Sequence, residues 1–158
     1  MIDKIVDYRI HEIREAERLL SYISVEEFVE FLRQNTEPLQ HEHPGLQRGL
    51  ENAFSREPNK GGFVLIAECY GMLLGALVML RTGMAGDVPE NLLLHLSVHD
   101  GARNVGVGGA LIHHALEICK GDVKLHVEYS NPIKRFYERF GFRFTSKYGE
   151  MRYHHEST

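Results

Sequence analysis

Residues 92–110 read Leu-Leu-Leu-His-Leu-Ser-Val-His-Asp-Gly-Ala-Arg-Asn-Val-Gly-Val-Gly-Gly-Ala. An apolar stretch runs into a loop led by Arg103 and punctuated by Gly106, Gly108 and Gly109, and a helical pattern follows at once. Such a loop leaves backbone N–H groups free, with the positive end of a helix dipole behind them. Gly106 and Gly108 permit close approach and positive φ. Arg103 adds a cation near any bound anion. The order builds an anion cradle, and a diphosphate group suits it.

Three phosphate-binding designs compete for this loop. A P-loop needs a Lys-Ser/Thr pair after its last glycine, whereas Ala110 and Leu111 follow Gly109. A dinucleotide fingerprint would start at Gly106-Val107-Gly108, with Glu128 about 20 residues on as the ribose-binding acid. Against it, Leu111 replaces the third glycine, and the first glycine stands eight residues past Val98. The third design fits best. Arg103-Asn104-Val105-Gly106-Val107-Gly108 has the form Arg/Gln-x-x-Gly-x-Gly/Ala. It resembles the acetyl-CoA signature of the GNAT superfamily of N-acetyltransferases. Leu96-Ser97-Val98-His99 is similar to the end of that family's fourth strand. Asn131-Pro-Ile-Lys-Arg-Phe-Tyr137-Glu-Arg-Phe-Gly-Phe142 is similar to its later Asn-x-x-Ala-x-x-Tyr-x-x-x-Gly-Phe pattern, with Lys134 in place of the small residue. The close resemblance covers residues 92–142, and the first sixty residues agree only loosely.

The resemblance implies acetyl-CoA as cosubstrate and no metal. Arg103, Asn104, Val105, Gly106, Val107, Gly108 and Gly109 would wrap the CoA pyrophosphate. Leu96, Ser97 and Val98 would offer backbone groups to the pantetheine arm, as an extended chain pairs to a strand edge. The Val98 N–H would polarise the thioester carbonyl. Tyr137 would protonate the departing thiolate, and Asn131 would contact CoA besides capping a helix. Read without the resemblance, Tyr137 is better taken as a core aromatic, since Ile133, Phe136, Tyr137 and Phe140 form one apolar stripe. The acceptor implied is an amine, on a small molecule or a peptide. It would be shaped by residues 14–33 and by a closing hairpin near Tyr148. A homodimer is compatible with the family, and the sequence does not decide it. A reading from another class is an acyl-CoA-binding sensor without chemistry.

That second reading is motivated by the missing general base. Leu92 and Leu94 stand where the family often carries Glu or His. His95 and His99 fall on the opposite face of a regular strand, but a bulge would change that parity. His126 and Glu128 are further candidates. His113 and Glu117 stand four apart and read as a solvated pair. His41-Glu42-His43 lacks further spaced ligands for a metal, and His154-His155 is too short to read as a site. Cys69 and Cys119 form no CxxC pair and read as two buried thiols in a reducing compartment.

The elements that must position these groups follow from periodicity and punctuation. Val6–Ile13 reads as a strand and Ile13–Ile23 as a helix. Ser24, with Glu27 three residues on, caps a second helix striped by Val25, Phe28, Val29 and Leu32. Residues 35–44 read as loop, and Leu46, Leu50, Ala53 and Phe54 as a third helix. Phe63–Cys69 and Met72–Leu80 read as a hairpin about Tyr70–Gly71. Leu92–Val98 reads as a strand buried on both faces. Gly106–Lys120 is expected as a helix, Val123–Glu128 as a strand parallel to the one before, and Asn131–Phe140 as a helix ended by Gly141. Phe142–Thr145 and Glu150–His154 are expected to close as a hairpin. The fold class expected is α/β (α+β): a mixed, mostly antiparallel central sheet with helices on both faces, in one domain over residues 1–158.

The 158 residues are 43% apolar and 25% charged, with a formal net charge of −4, so nothing favours nucleic acid as a partner. The longest apolar run, Gly71–Leu80, is about half a membrane span. Asp3, Lys4 and Asp7 replace the apolar run of a leader peptide. The cytoplasm is the expected compartment.

Overall fold

The Leu-, Val- and Ile-rich runs after residue 60 pair into a sheet, and the amphipathic segments before residue 55 cover one of its faces. The structure, a computed structural model, describes residues 7–35, 45–145 and 151–155. It divides into two compact units, residues 1–126 and 127–158.

The first unit holds β1 (Arg9–Ile13), α1 (Ala16–Leu19), α2 (Val25–Gln34), α3 (Leu46–Ala53), β2 (Gly62–Cys69), β3 (Met72–Arg81), β4 (Asn91–Val98), α4 (Val107–Ile118) and β5 (Val123–Lys124). The strands form one sheet in the order β1-β2-β3-β4-β5. All neighbours are antiparallel except β4 and β5, which are parallel. The β2–β3 turn has Tyr70 at φ 49 and Gly71 at φ 82, the two positive φ values that a two-residue hairpin favours. At its base the Glu68 carboxylate accepts from the Gly71 N–H and from His11 Nε2, each at 3.0 Å. The Gly71 N–H first, and His11 after it, hold that carboxyl below the usual range.

One face of the sheet carries Ile13, Val64, Ile66, Ala76 and Val78, packed with Leu19, Phe28, Leu32, Leu46, Leu50 and Ala53 of α1–α3. Ser24 caps α2 as expected, its Oγ accepting the Glu27 N–H at 3.1 Å. The opposite face takes α4. A Cβ at Gly75 of β3 would lie 3.0 Å from both Leu111 and Val107 side chains, so the missing side chain lets α4 settle close to the sheet. Helices on both faces of a mixed, mostly antiparallel sheet are the expected fold class.

Several expected elements are shorter. The first helix spans Ala16–Leu19 only, because Ile13 pairs with Val64 in β1. Residues 20–23 follow as turn backbone that ends at the Ser24 cap. β5 stops at Lys124 rather than Glu128. β4 alternates buried and half-buried residues instead of being buried on both faces. Val6 and most of the loop expected over residues 35–44 lie outside the described residues.

The second unit holds α5 (Lys134–Glu138). The helix expected over Asn131–Phe140 is shorter, and its N-cap is Ile133, without a side-chain cap bond, rather than Asn131. Asn131 Oδ1 instead accepts the Ile133 N–H at 3.0 Å in the turn before it. Turn-like bonds from the Lys134, Arg135 and Phe136 N–H groups to acceptors three residues back make the first turn tighter than an α-helix. Gly141, at φ 96, ends the segment as expected. Residues 142–145 and 151–155 carry no strand, so the expected closing hairpin is not formed among the described residues; Tyr148 and Glu150 lie outside them.

Buried Asn91 fixes where β5 joins. Its Nδ2 donates to Lys120 O at 2.8 Å and Asp122 O at 3.2 Å, and its N–H donates to Asp122 O at 3.0 Å. Asn91→Leu leaves the Lys120 carbonyl without its donor and weakens the hold on Asp122. It is expected to lower the unfolding free energy by about 1–3 kcal/mol, read from the urea midpoint at unchanged slope.

Candidate functional site

β4 loses its outer neighbour early. The parallel ladder covers only Asn91↔Val123 and Leu92↔Lys124. A bulge follows at once: Met79 pairs with Leu93 but Val78 pairs with His95, leaving Leu94 as an extra residue. A bulge bends its strand and raises the local twist, which takes the β4 edge away from the line β5 would follow. From Leu93 to Val98 the outer edge is not laddered to β5.

Strand geometry decides which backbone groups face that edge. The His99 N–H donates to Leu74 O of β3 at 2.8 Å. Successive N–H groups alternate between edges, so Ser97 also faces β3 while Leu96 and Val98 face outward. Arg103 Nε, at 3.3 Å from Val98 O, confirms that direction. Of the three strand residues singled out for backbone binding, Leu96 and Val98 therefore present groups to the open edge. Ser97 does not. Its side chain is buried on the α2 side, with Oγ donating to Leu32 O at 3.3 Å.

The loop after β4 is a short 3₁₀ turn, Asp100–Ala102, followed by the glycines. His99 Nδ1 accepts the Gly101 N–H at 3.0 Å and caps this turn. A histidine suspected as a base is thereby employed in shaping the loop. Arg103 also lies 3.3 Å from Asp100 Oδ1, so its guanidinium braces the loop against the strand end. Asn104 (φ 67) and Gly106 (φ 89) adopt left-handed backbone. Gly106 is the N-cap of α4, and a Cβ there would meet nothing within 4 Å. Gly108 differs from expectation: it is an ordinary helical residue of the first turn, with no positive φ. The first intrahelical bond of α4 is Ala110 N–H to Gly106 O, so the Val107, Gly108 and Gly109 N–H groups precede the ladder. Asn104, Val105 and Gly106 are exposed while Val107 is buried under them. The result is a helix N-terminus whose leading residues, Asn104 to Gly106, face solvent, with half-buried Gly108 and Gly109 behind them.

The bulge also settles the parity of His95. Directly opposed residues share a face, and Val78 belongs to the core under α1–α3. His95 therefore points to that face, together with Leu94, and is 3% exposed. There it lines an open cavity of about 230 Å³ with Gly45, Arg48, Gly49, Asn52, Leu80 and Leu94. Arg48 and Asn52, one helical turn apart on α3, were not signalled by sequence, because an exposed Arg and Asn on an amphipathic helix look like solvated surface. A Cβ at Gly49 would collide with a terminal methyl of Leu94, so a larger residue there would require that side chain to shift.

The other expected site residues lie in the second unit. Tyr137 is 5% exposed, with edge-on contacts to the Phe136 ring at 5.2 Å and the Phe142 ring at 5.8 Å. Asn131 is 4% exposed and engaged in its turn. Lys134, the departure from the small residue, reaches back to Tyr129 O at 2.7 Å. Among the remaining candidates, His126 and Glu128 are exposed. His113 and Glu117 form the expected surface pair at 3.1 Å. No metal-binding cluster occurs among the described residues, and His41-Glu42-His43 lies outside them. No described helix is long and apolar enough to cross a membrane.

Cys69 and Cys119 are free and half-buried. Burial pushes the Cys119 thiol above its ordinary range, only partly countered by Arg14. The thiol is therefore neutral near pH 7, unlike an activated nucleophile. Alkylation of Cys119 by iodoacetamide is expected to keep accelerating above pH ~8.5, where a free cysteine passes its midpoint. A profile levelling at or below the free-thiol range would contradict this; peptide mass spectrometry of labelled samples reads it.

Residues 60–144 match the acetyltransferase (GNAT) domain family. Cysteine-rich protein 2-binding protein of Mus musculus and of Homo sapiens are each 40% identical over 63 residues, 38% of this chain. The chain spans only 8% of the length of either relative. Among solved structures, an aminoglycoside N-acetyltransferase AAC(6')-Iy in complex with CoA superposes with a TM-score of 0.65 at 16% identity, over 93% of this chain and 95% of that one. Arabidopsis thaliana Naa50, in complex with the bisubstrate analogue CoA-Ac-MVNAL, superposes with a TM-score of 0.58 at 19% identity, over 89% and 86%. Both share the fold described above.

Proposed function

Because the chain belongs to the GNAT acetyltransferase family, we propose that it transfers the acetyl group of acetyl-CoA directly to the primary amine of a small-molecule or peptide acceptor. The observation that carries this reading is the open outer edge of β4, with Val98 facing it and the Gly106–Gly109 helix start just beyond. A strand edge suits an amide-bearing arm, and a helix N-terminus suits a diphosphate. CoA presents both in one molecule. The CoA in the aminoglycoside enzyme and in the plant bisubstrate complex supports this donor, and the two proteins between them span small-molecule and peptide acceptors.

Acetyl-CoA supplies the acyl group as an activated thioester. The Val107, Gly108 and Gly109 N–H groups hold the pyrophosphate, with Arg103 keeping the loop folded against the strand. Leu96 and Val98 pair with the pantetheine amides. The Val98 N–H donates to the thioester oxygen as charge gathers on it, and fixed donors of this kind act without reorganising. The neutral amine nitrogen bonds to the carbonyl carbon and gives up a proton to solvent water, the C–S bond breaks, and the sulfur takes a proton. Tyr137, carried over from the resemblance, supplies that proton. No cysteine participates, in keeping with the neutral Cys119 thiol. Free thiols favour a reducing compartment, and the cytoplasm is the location proposed.

Release of CoA thiol with a panel of amines tests the activity. CoA binding without transfer to any amine would instead make the chain an acyl-CoA sensor. Tyr137→Phe is expected to lower kcat by about 100-fold, the lower range for a general acid, with CoA affinity unchanged. Wild-type turnover by this variant across pH would remove Tyr137 from the chemistry.

A further inference from the structure

The cavity between α3 and β4 lies outside the groups used so far. Its walls are chemically unequal. Arg48 and Asn52 are exposed at its mouth, the Leu80 and Leu94 side chains form its middle, and the buried His95 lies on the strand beneath. Among the described residues no carboxylate pairs with Arg48, a state it shares with other surface arginines such as Arg18 and Arg81. Arg48 and Asn52 stand at i and i+4, so their side chains project together from one face of α3. A guanidinium beside a carboxamide offers several N–H donors in a small area, the arrangement that binds a carboxylate.

The β4 wall of the cavity is Leu94 and His95, on the Val98 side of the Leu80–Leu92 pair. His95 and Val98 are three residues apart, about 10 Å of strand. A guest anchored at Arg48 must cross the apolar middle and pass the His95 imidazole to bring a nitrogen near Val98. An elongated molecule with a carboxylate at one end, a short aliphatic chain and a primary amine at the other fits each segment in turn. The volume, about 230 Å³, accommodates such a molecule.

We propose that this cavity is the acceptor pocket and that its substrate class is an ω-amino carboxylate, held through its carboxylate by Arg48 and Asn52. The proposal rests on the acetyltransferase reading for the identity of the reacting end. Its binding step does not, so the two can fail separately.

The test is calorimetric titration of glycine, 4-aminobutyrate and 6-aminohexanoate against hexylamine, with and without saturating CoA. The expected affinity rises with chain length, and 6-aminohexanoate binds at least about tenfold tighter than hexylamine, the worth of one charged hydrogen bond. Arg48→Gln is expected to erase that preference and leave hexylamine and CoA affinities unchanged. Equal binding of 6-aminohexanoate and hexylamine, no binding by any amino carboxylate, or a preference that survives Arg48→Gln would overturn the proposal. Amino carboxylate binding that persists while no CoA binds would instead sink the acetyltransferase reading and leave the pocket standing. Thermal unfolding of Arg48→Gln at the wild-type temperature establishes that the variant is folded.

Discussion

The rest of the molecule depends on the loss of pairing along β4 after Leu92. Two paired positions hold β5, and Asn91 locks them by bonding the α4–β5 turn. The bulge at Leu94 then turns the strand out of line. An unpaired edge is normally a liability, because its N–H and C=O groups invite adventitious pairing. Here the same edge leads directly into a loop whose geometry suits an anion. The hazard and the proposed function have one physical origin.

The bulge has a second consequence, on side chains rather than backbone. Without it, His95 would share a face with Leu93 and Met79, under α4. With it, His95 lies with Leu94 and Val78 on the face of α1–α3 and borders the α3 cavity. One extra residue thus opens an edge for one partner and furnishes a polar group for another. Gly49 of α3 lies against the Leu94 side chain and adds no side chain of its own.

Much of this was legible in the residue pattern. Ser24 and Glu27 announced a cap, Tyr70–Gly71 a tight hairpin, and Gly106 a left-handed helix start, because each meets a local stereochemical demand. The central sheet and its helices followed from apolar periodicity. The bulge was not legible, since a run such as Leu92-Leu93-Leu94 pairs equally well in either register until β3 chooses. The end of β5 depended on that choice, so Leu125 and His126 looked like strand. The first helix was read too long because Ile13, a strand residue, satisfied helical spacing by coincidence. The pocket residues Arg48 and Asn52 gain meaning only when α3 is laid over β4. His99 looked like chemistry and proved to cap a turn, a role that depends on the fold of its own loop.

The central claim is that acetyl-CoA binds along the outer edge of β4 and on the start of α4. Amide hydrogen exchange resolved by NMR, with and without acetyl-CoA, tests it most directly. The account predicts new protection at Leu96, Val98, Gly108 and Gly109, with Ser97 protected in both states because its N–H already faces β3. Saturating acetyl-CoA that leaves the Val98 and Gly108 amides exchanging as before would contradict it.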